Sequence, residues 1–326
     1  MLGTFPRHIL EVRQFDRDSV ETLFALTDEM RALHAAREAI RLRGKILASL
    51  FFEPSTRTRL SFESAMMRLG GSVLTAENAT ESSSWAKGET IEDTARIVES
   101  YADAMVIRHP TAGAPAAAAS AVDIPGINAG DGAHEHPTQA LLDLYTIRSE
   151  LGRIDDLRIA LVGDLKYGRA PRSLALLLAR TAQVELVFIS PPNVRMGEDV
   201  KTELRAAGLT FREESDLLSV LPDVDVVYQT RIQHERFSSE QDYEAARGRY
   251  VIDDAAMARL NPHAIVMHPL PRVDEIAASV DRDPRAAYFR QARNGVWGSM
   301  PILAVLNAES TPRAAIRWGG RATRIR

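Results

Sequence analysis

Short apolar runs alternate along most of this chain with longer segments of helical periodicity. The runs lie at residues 46–52, 104–107, 159–163, 186–190, 224–228 and 265–268. A strand covered by helices on both faces is apolar throughout, so this alternation predicts parallel sheets in an α/β fold. We therefore expect two doubly wound parallel-sheet domains joined by long interdomain helices.

The length of the chain predicts two domains rather than one. Its 326 residues, 45% of them hydrophobic, exceed what a single core usually holds. A long helix over 137–150, begun by Pro137 and ended by Gly152, is expected to bridge the domains. We place the first domain at 1–150 and the second at 151–289, with a C-terminal helix over about 290–326 packing back on the first.

Composition excludes several classes of protein. A net charge of −4 disfavours nucleic acid as the main partner, although the last 16 residues hold five arginines and no acid. The chain has no cysteine, so disulfides, thiolate metal sites and cysteine nucleophiles are excluded. The N-terminus lacks the apolar segment of a signal peptide, and no stretch is long enough to span a bilayer. We expect a cytoplasmic protein with no membrane contact.

The stretch 51–63 is typical of a phosphate site. Ser55, Thr56, Arg57 and Thr58 lie where an apolar run changes into a helix with apolar residues at helical spacing. Unpaired N–H groups and the positive end of the helix dipole favour an anion there, and an arginine fork matches phosphate oxygens. The alternative is that Ser55 only caps the helix and the arginines are solvated.

Polar residues also follow several later strands. Arg108 follows the run at 104–107, while Arg169, Arg231 and His268 each follow one of the last runs. Ligands of doubly wound sheets bind beyond the carboxyl ends of the strands, so the last three are expected to face one crevice. A lone arginine such as Arg108, taken by itself, is more often a residue at the rim of a site. The glycines at 163–168 do not match a dinucleotide fingerprint.

Two loops add further candidates. The stretch 128–139 is rich in turn formers and places His136 and Gln139 at the start of the predicted bridging helix. His136 would suit donation to a developing oxyanion, or could simply cap the helix. Lys87, in a polar loop at 81–89, would either deliver an ammonium from a lid or be a solvated charge.

The segment 268–275 carries prolines on both sides of Leu270. They predict an extended backbone whose carbonyl oxygens are exposed to a substrate amino group. His134 and His136 are only two residues apart in a loop, without helical His-x3-His spacing, so a metal site is not predicted.

Together these motifs resemble the aspartate/ornithine carbamoyltransferase family over nearly the whole chain. The motifs that carry the resemblance are Ser55 to Thr58, Ser83 with Lys87-Gly-Glu, Arg108-His-Pro, His136 to Gln139, Gly163 to Arg169, Arg231 to Gln233 and His268 to Arg272. Agreement of so many motifs in the same order is not expected by chance.

The resemblance implies transfer of a carbamoyl group from carbamoyl phosphate to the amine of L-aspartate, in de novo pyrimidine biosynthesis, with no cofactor and no metal. It implies that the first domain binds carbamoyl phosphate and the second binds aspartate. The implied carbamoyl-phosphate contacts are Ser55, Thr56, Arg57, Thr58, Ser83, Lys87, Arg108, His136, Gln139, Pro269 and Leu270. Those with a catalytic role are Arg57, Thr58, Lys87, Arg108 and His136.

The resemblance also implies how the second substrate and the partners are arranged. Lys87, Arg169, Arg231 and Gln233 would bind the two aspartate carboxylates, and guanidinium forks suit planar carboxylates. In the family, Ser83 and Lys87 reach into a neighbouring subunit's site, which implies a homotrimer with shared active sites. Regulatory chains or a dihydroorotase are possible further partners.

Two alternatives remain at this point. An ornithine-specific relative shares the phosphate motif but usually carries His-Cys-Leu-Pro where this chain has His268-Pro-Leu-Pro; the absence of cysteine and the presence of Arg231 and Gln233 favour aspartate. A noncatalytic scaffold homologue would be expected to have lost phosphate-site residues, and these are present.

Overall fold

The structure is a computed structural model, and it describes residues 5–36, 41–77, 88–232, 241, 243 and 250–309. The chain divides into two compact units: the first comprises Met1–Thr138 and Gly295–Arg326, and the second comprises Gln139–Asn294. Both changes of unit fall inside helices, so a helix begins in one unit and ends in the other at each crossing.

The first unit contains a four-stranded parallel sheet. Its strands are β1 (Ile46–Phe51), β2 (Ser72–Glu77), β3 (Ala104–His109) and β4 (Gly126–Asp131). Their order is β2-β1-β3-β4, and every pairing is parallel. The N-terminal segment runs beside β4, where Ile9 N–H donates to Gly126 O at 2.9 Å and Asn128 N–H donates to Ile9 O at 2.7 Å.

Helices flank this sheet. They are α1 (Arg17–Ala35), α2 (Thr56–Arg68), α3 (Ile91–Glu99) and α4 (Ala114–Ser120), followed by α5 (Pro137–Leu151), which continues into the second unit. The core contains alternate side chains of β1 and β3, including Leu50, Met105 and Ile107, packed against Ala95 and Ala118 of the helices.

The second unit contains a five-stranded parallel sheet in the order β7-β6-β5-β8-β9. Its strands are β5 (Leu157–Val162), β6 (Val184–Ile189), β7 (Thr210–Glu214), β8 (Val226–Gln229) and β9 (Ile265–Met267). The accompanying helices are α6 (Arg169–Thr181), α7 (Glu198–Ala206), α8 (Leu217–Val220), α9 (Asp254–Arg259) and α10 (Tyr288–Glu309). The three central strands, β5, β6 and β8, are almost entirely buried, which accounts for their unbroken apolar sequence.

The prediction of an α/β fold with two parallel sheets is confirmed, but three of the nine strands in the described residues were missed. The edge strands β2 and β7 are largely solvated and carry polar residues, so neither is an apolar run. The third, β4, is fully buried, yet Asn128 and Asp131 belong to it rather than to the predicted loop. Leu60, one of the apolar residues at helical spacing in α2, is 49% exposed rather than buried.

The second half of α10 lies in the first unit. The Trp297 ring lies 5.2 Å from the ring of His34 in α1, and the Arg68 guanidinium of α2 lies 5.7 Å from the same indole. These contacts attach the helix to α1 and α2. The basic tail at 310–326 lies outside the described residues, and no helix in the described part of the chain is long and apolar enough to cross a membrane.

Candidate active site

The sheet order of the first unit identifies where a ligand is expected. In the sheet, β2 lies on one side of β1, and β3 lies on the other side, followed by β4. The connection that follows β1 and the connection that follows β3 therefore run in opposite directions from the carboxyl edge of the sheet. Such a switch point is the usual ligand site of an open α/β sheet. The Ser55–Thr58 segment follows β1, and Arg108 lies at the end of β3.

The N-terminus of α2 is not capped by its own serine. Ser55 occupies the N-cap position with φ of −160°, but its side chain makes no capping hydrogen bond. No acidic residue lies in the first turn, where Thr56, Arg57 and Thr58 follow. The interpretation of Ser55 as a simple helix cap is therefore wrong, and the positive end of the helix carries hydroxyls beside its N–H groups.

The two arginines near the N-terminus of α2 have different surroundings. Arg59 pairs with Glu77 at 2.9 Å and lies 3.8 Å from Glu63. Arg57 is exposed and forms no ion pair with any residue that the structure describes. Nearby protein atoms lower the pKa of Arg57 by desolvation, but a guanidinium stays protonated at neutral pH. Of these two arginines, Arg57 is therefore the one that is available to an anion.

Two of the groups expected at the carbonyl oxygen lie together. Thr58 Oγ1 and His136 Nε2 are 3.5 Å apart, a long contact of the kind that often shortens when substrate binds. Arg108, 15% exposed, donates from Nε to Glu53 Oε2 at 3.1 Å. Glu53 lies two residues beyond β1, and its carboxylate occupies the Nε donor, which is one of the five N–H donors of the Arg108 guanidinium.

A buried carboxylate shapes the turn that presents His136. Asp131, at the end of β4, accepts hydrogen bonds from the backbone N–H of Gly113 at 2.8 Å and of Glu135 at 3.0 Å. Burial by itself raises the pKa of Asp131, but the hydrogen bond from His134, with those from Gly113 and other donors, lowers it below its ordinary value. The ionised carboxylate therefore holds the turn closed, and His136, which is 5% exposed, follows immediately.

In the second unit, the equivalent switch point lies between β5 and β8. Gly163, at φ of +112°, lies so close to β8 that a Cβ added there would be 2.3 Å from the carbonyl oxygen of Thr230. Thr230 in turn donates from both N and Oγ1 to Val162 O at 2.8 Å. The loops that follow these two strands therefore begin side by side.

These two loops carry the predicted aspartate-binding arginines. Arg169 is the first residue of α6, and the fully buried Asp164 holds the preceding turn by accepting from the N–H groups of Lys166 and Tyr167 at 3.2 and 2.9 Å. Arg231 directly follows Thr230 and is half-buried. Three further predicted contacts, Ser83, Lys87 and Gln233, lie outside the described residues.

The segment 268–275 is not extended as predicted. Leu270 is left-handed, with φ of 56°, and the bond to Pro271 is cis. His268 Nδ1 accepts from Leu270 N–H at 2.7 Å, while Nε2 lies 2.8 Å from Glu275 Oε1. A backbone N–H can only donate, so His268 is neutral and its proton is on Nε2. Among the described residues, no hydrogen bond uses the carbonyl oxygens of Pro269 or Leu270.

A fully buried aspartate, missed in the sequence, lies next to Gln139. The Oδ1 atom of Asp143 accepts from Gln139 Nε2 at 2.8 Å and from Gln291 Nε2 at 2.7 Å, and Oδ2 accepts from Tyr228 OH at 2.6 Å. Burial raises the pKa of Asp143 to about 7. One signal was available: Asp143 lies on the same face of α5 as the apolar residues Ala140 and Ile147.

No group of three or more His, Asp or Glu side chains is placed to hold a metal ion anywhere in the described part of the chain. The arrangement instead offers hydroxyls, guanidinium groups and one imidazole at the first unit's switch point, and two arginines beside the second. Donors of these kinds bind anions and stabilise negative charge on oxygen.

Two family models match the sequence. Residues 7–149 match the aspartate/ornithine carbamoyltransferase, carbamoyl-P binding domain, and residues 155–306 match the aspartate/ornithine carbamoyltransferase, Asp/Orn binding domain. Together they cover most of the chain.

Individual proteins agree with the family models. The chloroplastic aspartate carbamoyltransferase of Arabidopsis thaliana is 55% identical over 300 residues, covering 91% of this chain and 77% of that protein. The aspartate carbamoyltransferase catalytic subunit of Thermococcus onnurineus is 50% identical over 300 residues, covering 92% and 96%. The crystal structure of Trypanosoma cruzi aspartate transcarbamoylase with carbamoyl phosphate and aspartate has a TM-score of 0.85 and 43% identity, covering 91% and 94%. This chain therefore belongs to the aspartate/ornithine carbamoyltransferase family.

Proposed function

We propose that this chain transfers the carbamoyl group of carbamoyl phosphate to the amine of L-aspartate, giving N-carbamoyl-L-aspartate and phosphate. The chain is thus an enzyme of de novo pyrimidine biosynthesis, and aspartate rather than ornithine is its acceptor. The observation that carries the proposal is the N-terminus of α2, where an uncapped first turn coincides with Arg57, which has no ion-pair partner in the described residues.

We assign the phosphate of the donor to Ser55, Thr56, Arg57 and Thr58. Backbone N–H groups and hydroxyls at a helix N-terminus bind phosphate oxygens, and the guanidinium adds a charged fork. Ser83 and Lys87 complete this set as predicted contacts outside the described residues.

The carbonyl oxygen of the donor is assigned to Thr58, Arg108 and His136. The 3.5 Å separation between Thr58 Oγ1 and His136 Nε2 supports a role for both at one oxygen atom. The carbamoyl nitrogen is assigned to Gln139 and to the backbone oxygens of Pro269 and Leu270. The left-handed turn at Leu270 supports that role, because it turns these carbonyls out of any sheet.

The aspartate carboxylates are assigned to Arg169, Arg231, Gln233 and Lys87. The close approach of Gly163 to Thr230 supports this pairing, because it brings together the starting points of the loops that carry Arg169 and Arg231. A dicarboxylate needs more than one cation, and planar guanidinium groups match planar carboxylates.

The reaction needs no covalent nucleophile. The amine of aspartate attacks the carbonyl carbon, a C–N bond forms, and negative charge builds on the oxygen. Donors already aimed at that oxygen stabilise the charge, and removal of one such donor typically costs roughly 3 kcal/mol. Collapse of the intermediate breaks the C–O bond to phosphate, and the departing phosphate accepts the amine proton. Alignment of two bound substrates contributes about 7 kcal/mol more.

The direct test is an assay of the purified chain with carbamoyl phosphate and, in parallel, L-aspartate or L-ornithine. We expect carbamoyl-aspartate and no citrulline. Citrulline formation would reassign the arginine contacts. Absence of both products, together with absence of carbamoyl-phosphate binding, would contradict the enzymatic proposal and favour the scaffold alternative.

We further propose a homotrimer with shared active sites. Exposed apolar side chains in the first unit support self-association, because Leu60 and Met67 of α2 and Leu74 of β2 are 49%, 60% and 48% exposed. Mixed trimers of Lys87→Ala and His136→Ala subunits are expected to recover activity, because some sites then receive intact side chains from both subunits. Verified mixed trimers without recovery would contradict shared sites.

The location and additional partners are proposals as well. We propose a cytoplasmic enzyme whose trimer can associate with regulatory chains or a dihydroorotase, with the basic residues at 313–326 as one possible contact. Deletion of those residues should then reduce the size of the larger assembly in extracts. An unchanged assembly size would show that the residues at 313–326 do not contact such a partner. Cell fractionation would test the proposed cytoplasmic location.

A further inference from the structure

The carboxylate of Asp143 connects three segments of the second unit. It accepts from Gln139 on its own helix, from Tyr228 on β8 and from Gln291 on α10, and it is completely buried. Gln291 extends the connection further, because its Oε1 accepts from His268 N–H at 2.8 Å. The same carboxylate is thus linked to Gln139 and to the turn that carries the Pro269 and Leu270 carbonyls.

The hydrogen bonds fix which way each side-chain amide points. The His268 backbone N–H can only donate, so the atom of Gln291 facing it must be the oxygen, and the Gln291 NH2 group must face Asp143. Asp143 Oδ1 then requires a donor from Gln139 as well, which is the Gln139 NH2 group.

Protonation of Asp143 does not reverse this arrangement. A proton on Oδ2 would face the Tyr228 hydroxyl, which can rotate to accept it. Oδ1 would still accept from both glutamine amides. If Gln139 rotated by 180°, its carbonyl oxygen would face Oδ1, and two acceptors would meet at a fully buried carboxylate.

We propose that Asp143 is a positioning residue that fixes the Gln139 amide with its oxygen toward the substrate, so that the donor site selects a carbamoyl group over an acetyl group. The inference rests on the proposed function. A carbamoyl NH2 donates a hydrogen bond to an amide oxygen, whereas the methyl group of acetyl phosphate, similar in shape, has no hydrogen to donate. A site built to pair with an NH2 group rejects an analogue that lacks it, since the acceptor is then left unpaired.

Acetyl phosphate is therefore the probe. The amine of aspartate would attack its carbonyl carbon, a C–N bond would form, and the C–O bond to phosphate would break. The products are N-acetyl-aspartate and phosphate, with the amine proton on phosphate. The reaction needs no further reagent, so both donors can be compared in the same enzyme by phosphate release.

The test compares kcat/KM for the two donors in the wild type and in three variants. Asp143→Leu removes the acceptor and should lower the ratio of carbamoyl to acetyl transfer by roughly tenfold or more, mainly through KM for carbamoyl phosphate. Asp143→Asn keeps an oxygen for both glutamines and should retain the ratio within about threefold. Thr146→Val is the matched control, because this buried residue of α5 pairs with Asn294 and not with Gln139.

Several results would overturn the inference. An unchanged ratio in a folded Asp143→Leu enzyme would do so, as would an equal loss of selectivity in Thr146→Val. If Asp143→Leu does not fold, neutron diffraction of the wild type in D2O decides, because deuterons of Gln139 pointing away from Asp143 would contradict the proposed orientation. A wild type without any carbamoyl transfer would instead refute the proposed function.

Discussion

Replacement of Gly163 by alanine tests the close approach of β5 to β8. The new Cβ would lie 2.3 Å from Thr230 O and 2.6 Å from Thr230 Oγ1, and the residue would keep φ of +112°. Overpacking of this kind costs about 1–3 kcal/mol, and a non-glycine residue in such a conformation costs on the order of 1–3 kcal/mol more. We therefore expect Gly163→Ala to lower the free energy of unfolding by about 2–6 kcal/mol.

The part of this loss in unfolding free energy that comes from the positive φ can be measured separately from the part that comes from overpacking. Gly152 also has positive φ, +74°, but a Cβ there would meet nothing within 4 Å. Gly152→Ala should therefore lower the free energy of unfolding by only about 1–2 kcal/mol. Urea unfolding of both variants and the wild type gives the comparison, provided that the dependence on urea is unchanged. Equal stability of the two variants would refute the steric argument.

A functional readout accompanies the stability measurement. A shift of Thr230 displaces Arg231, which follows it directly, so KM for aspartate should rise in Gly163→Ala more than in Gly152→Ala. Carbamoyl-phosphate binding by the first unit should change little. A destabilised Gly163→Ala enzyme with a normal KM for aspartate would show that the packing of β5 against β8 does not determine aspartate binding.

Three further predictions concern single side chains. Arg57→Ala should lower kcat about a hundredfold or more in steady-state assays, whereas Arg96→Ala, which removes an exposed arginine paired with Asp93, should not; equal kinetics would contradict the phosphate assignment. Arg231→Ala should chiefly raise KM for aspartate, and near-normal kinetics would refute its role. The raised pKa of Asp143, about 7, lets the folded chain keep a proton that the unfolded chain loses near its ordinary value of 3.8. This stabilisation is complete below about pH 4 and is lost as the pH rises through 7, so the stability of the wild type relative to Asp143→Asn should fall between about pH 4 and 7 and then level off in urea titrations; a flat difference would contradict it.

The central strands were predictable because burial on both faces leaves an apolar sequence. Edge strands face water on one side, and β2 and β7 therefore read like loops. The strand β4 was missed in the sequence for another reason. Its glycines, Asn128 and Asp131 are typical of turns, yet the asparagine and aspartate can be buried because backbone groups of other segments, at Leu10 and Gly113, form hydrogen bonds with them. Local composition does not contain those partners.

The phosphate-binding candidates were predictable from their position between a buried strand and a helix. The buried groups that position these candidates were not predictable, because their hydrogen-bond partners are distant in the sequence. Asp143 is separated from Tyr228 by 85 residues and from Gln291 by 148. A single sequence shows that Asp143 interrupts an apolar helix face, but not which donors surround it. The turn at Leu270 was misread because the prolines restrict the backbone without determining the conformation of the residue between them.

The two arginines near the N-terminus of α2 show how a missed strand obscures a functional assignment. Arg57 and Arg59 are two residues apart, so they lie on different sides of the helix, and the motif gives no reason to prefer either. The structure separates them through Glu77, which pairs with Arg59 at 2.9 Å and belongs to β2. Because β2 was not predicted, the carboxylate that neutralises Arg59 was not placed beside it. The availability of an arginine to an anion is thus decided by the carboxylates that the fold brings near it, and here the fold distinguishes the arginine that is paired with carboxylates from the one that is a candidate for binding phosphate.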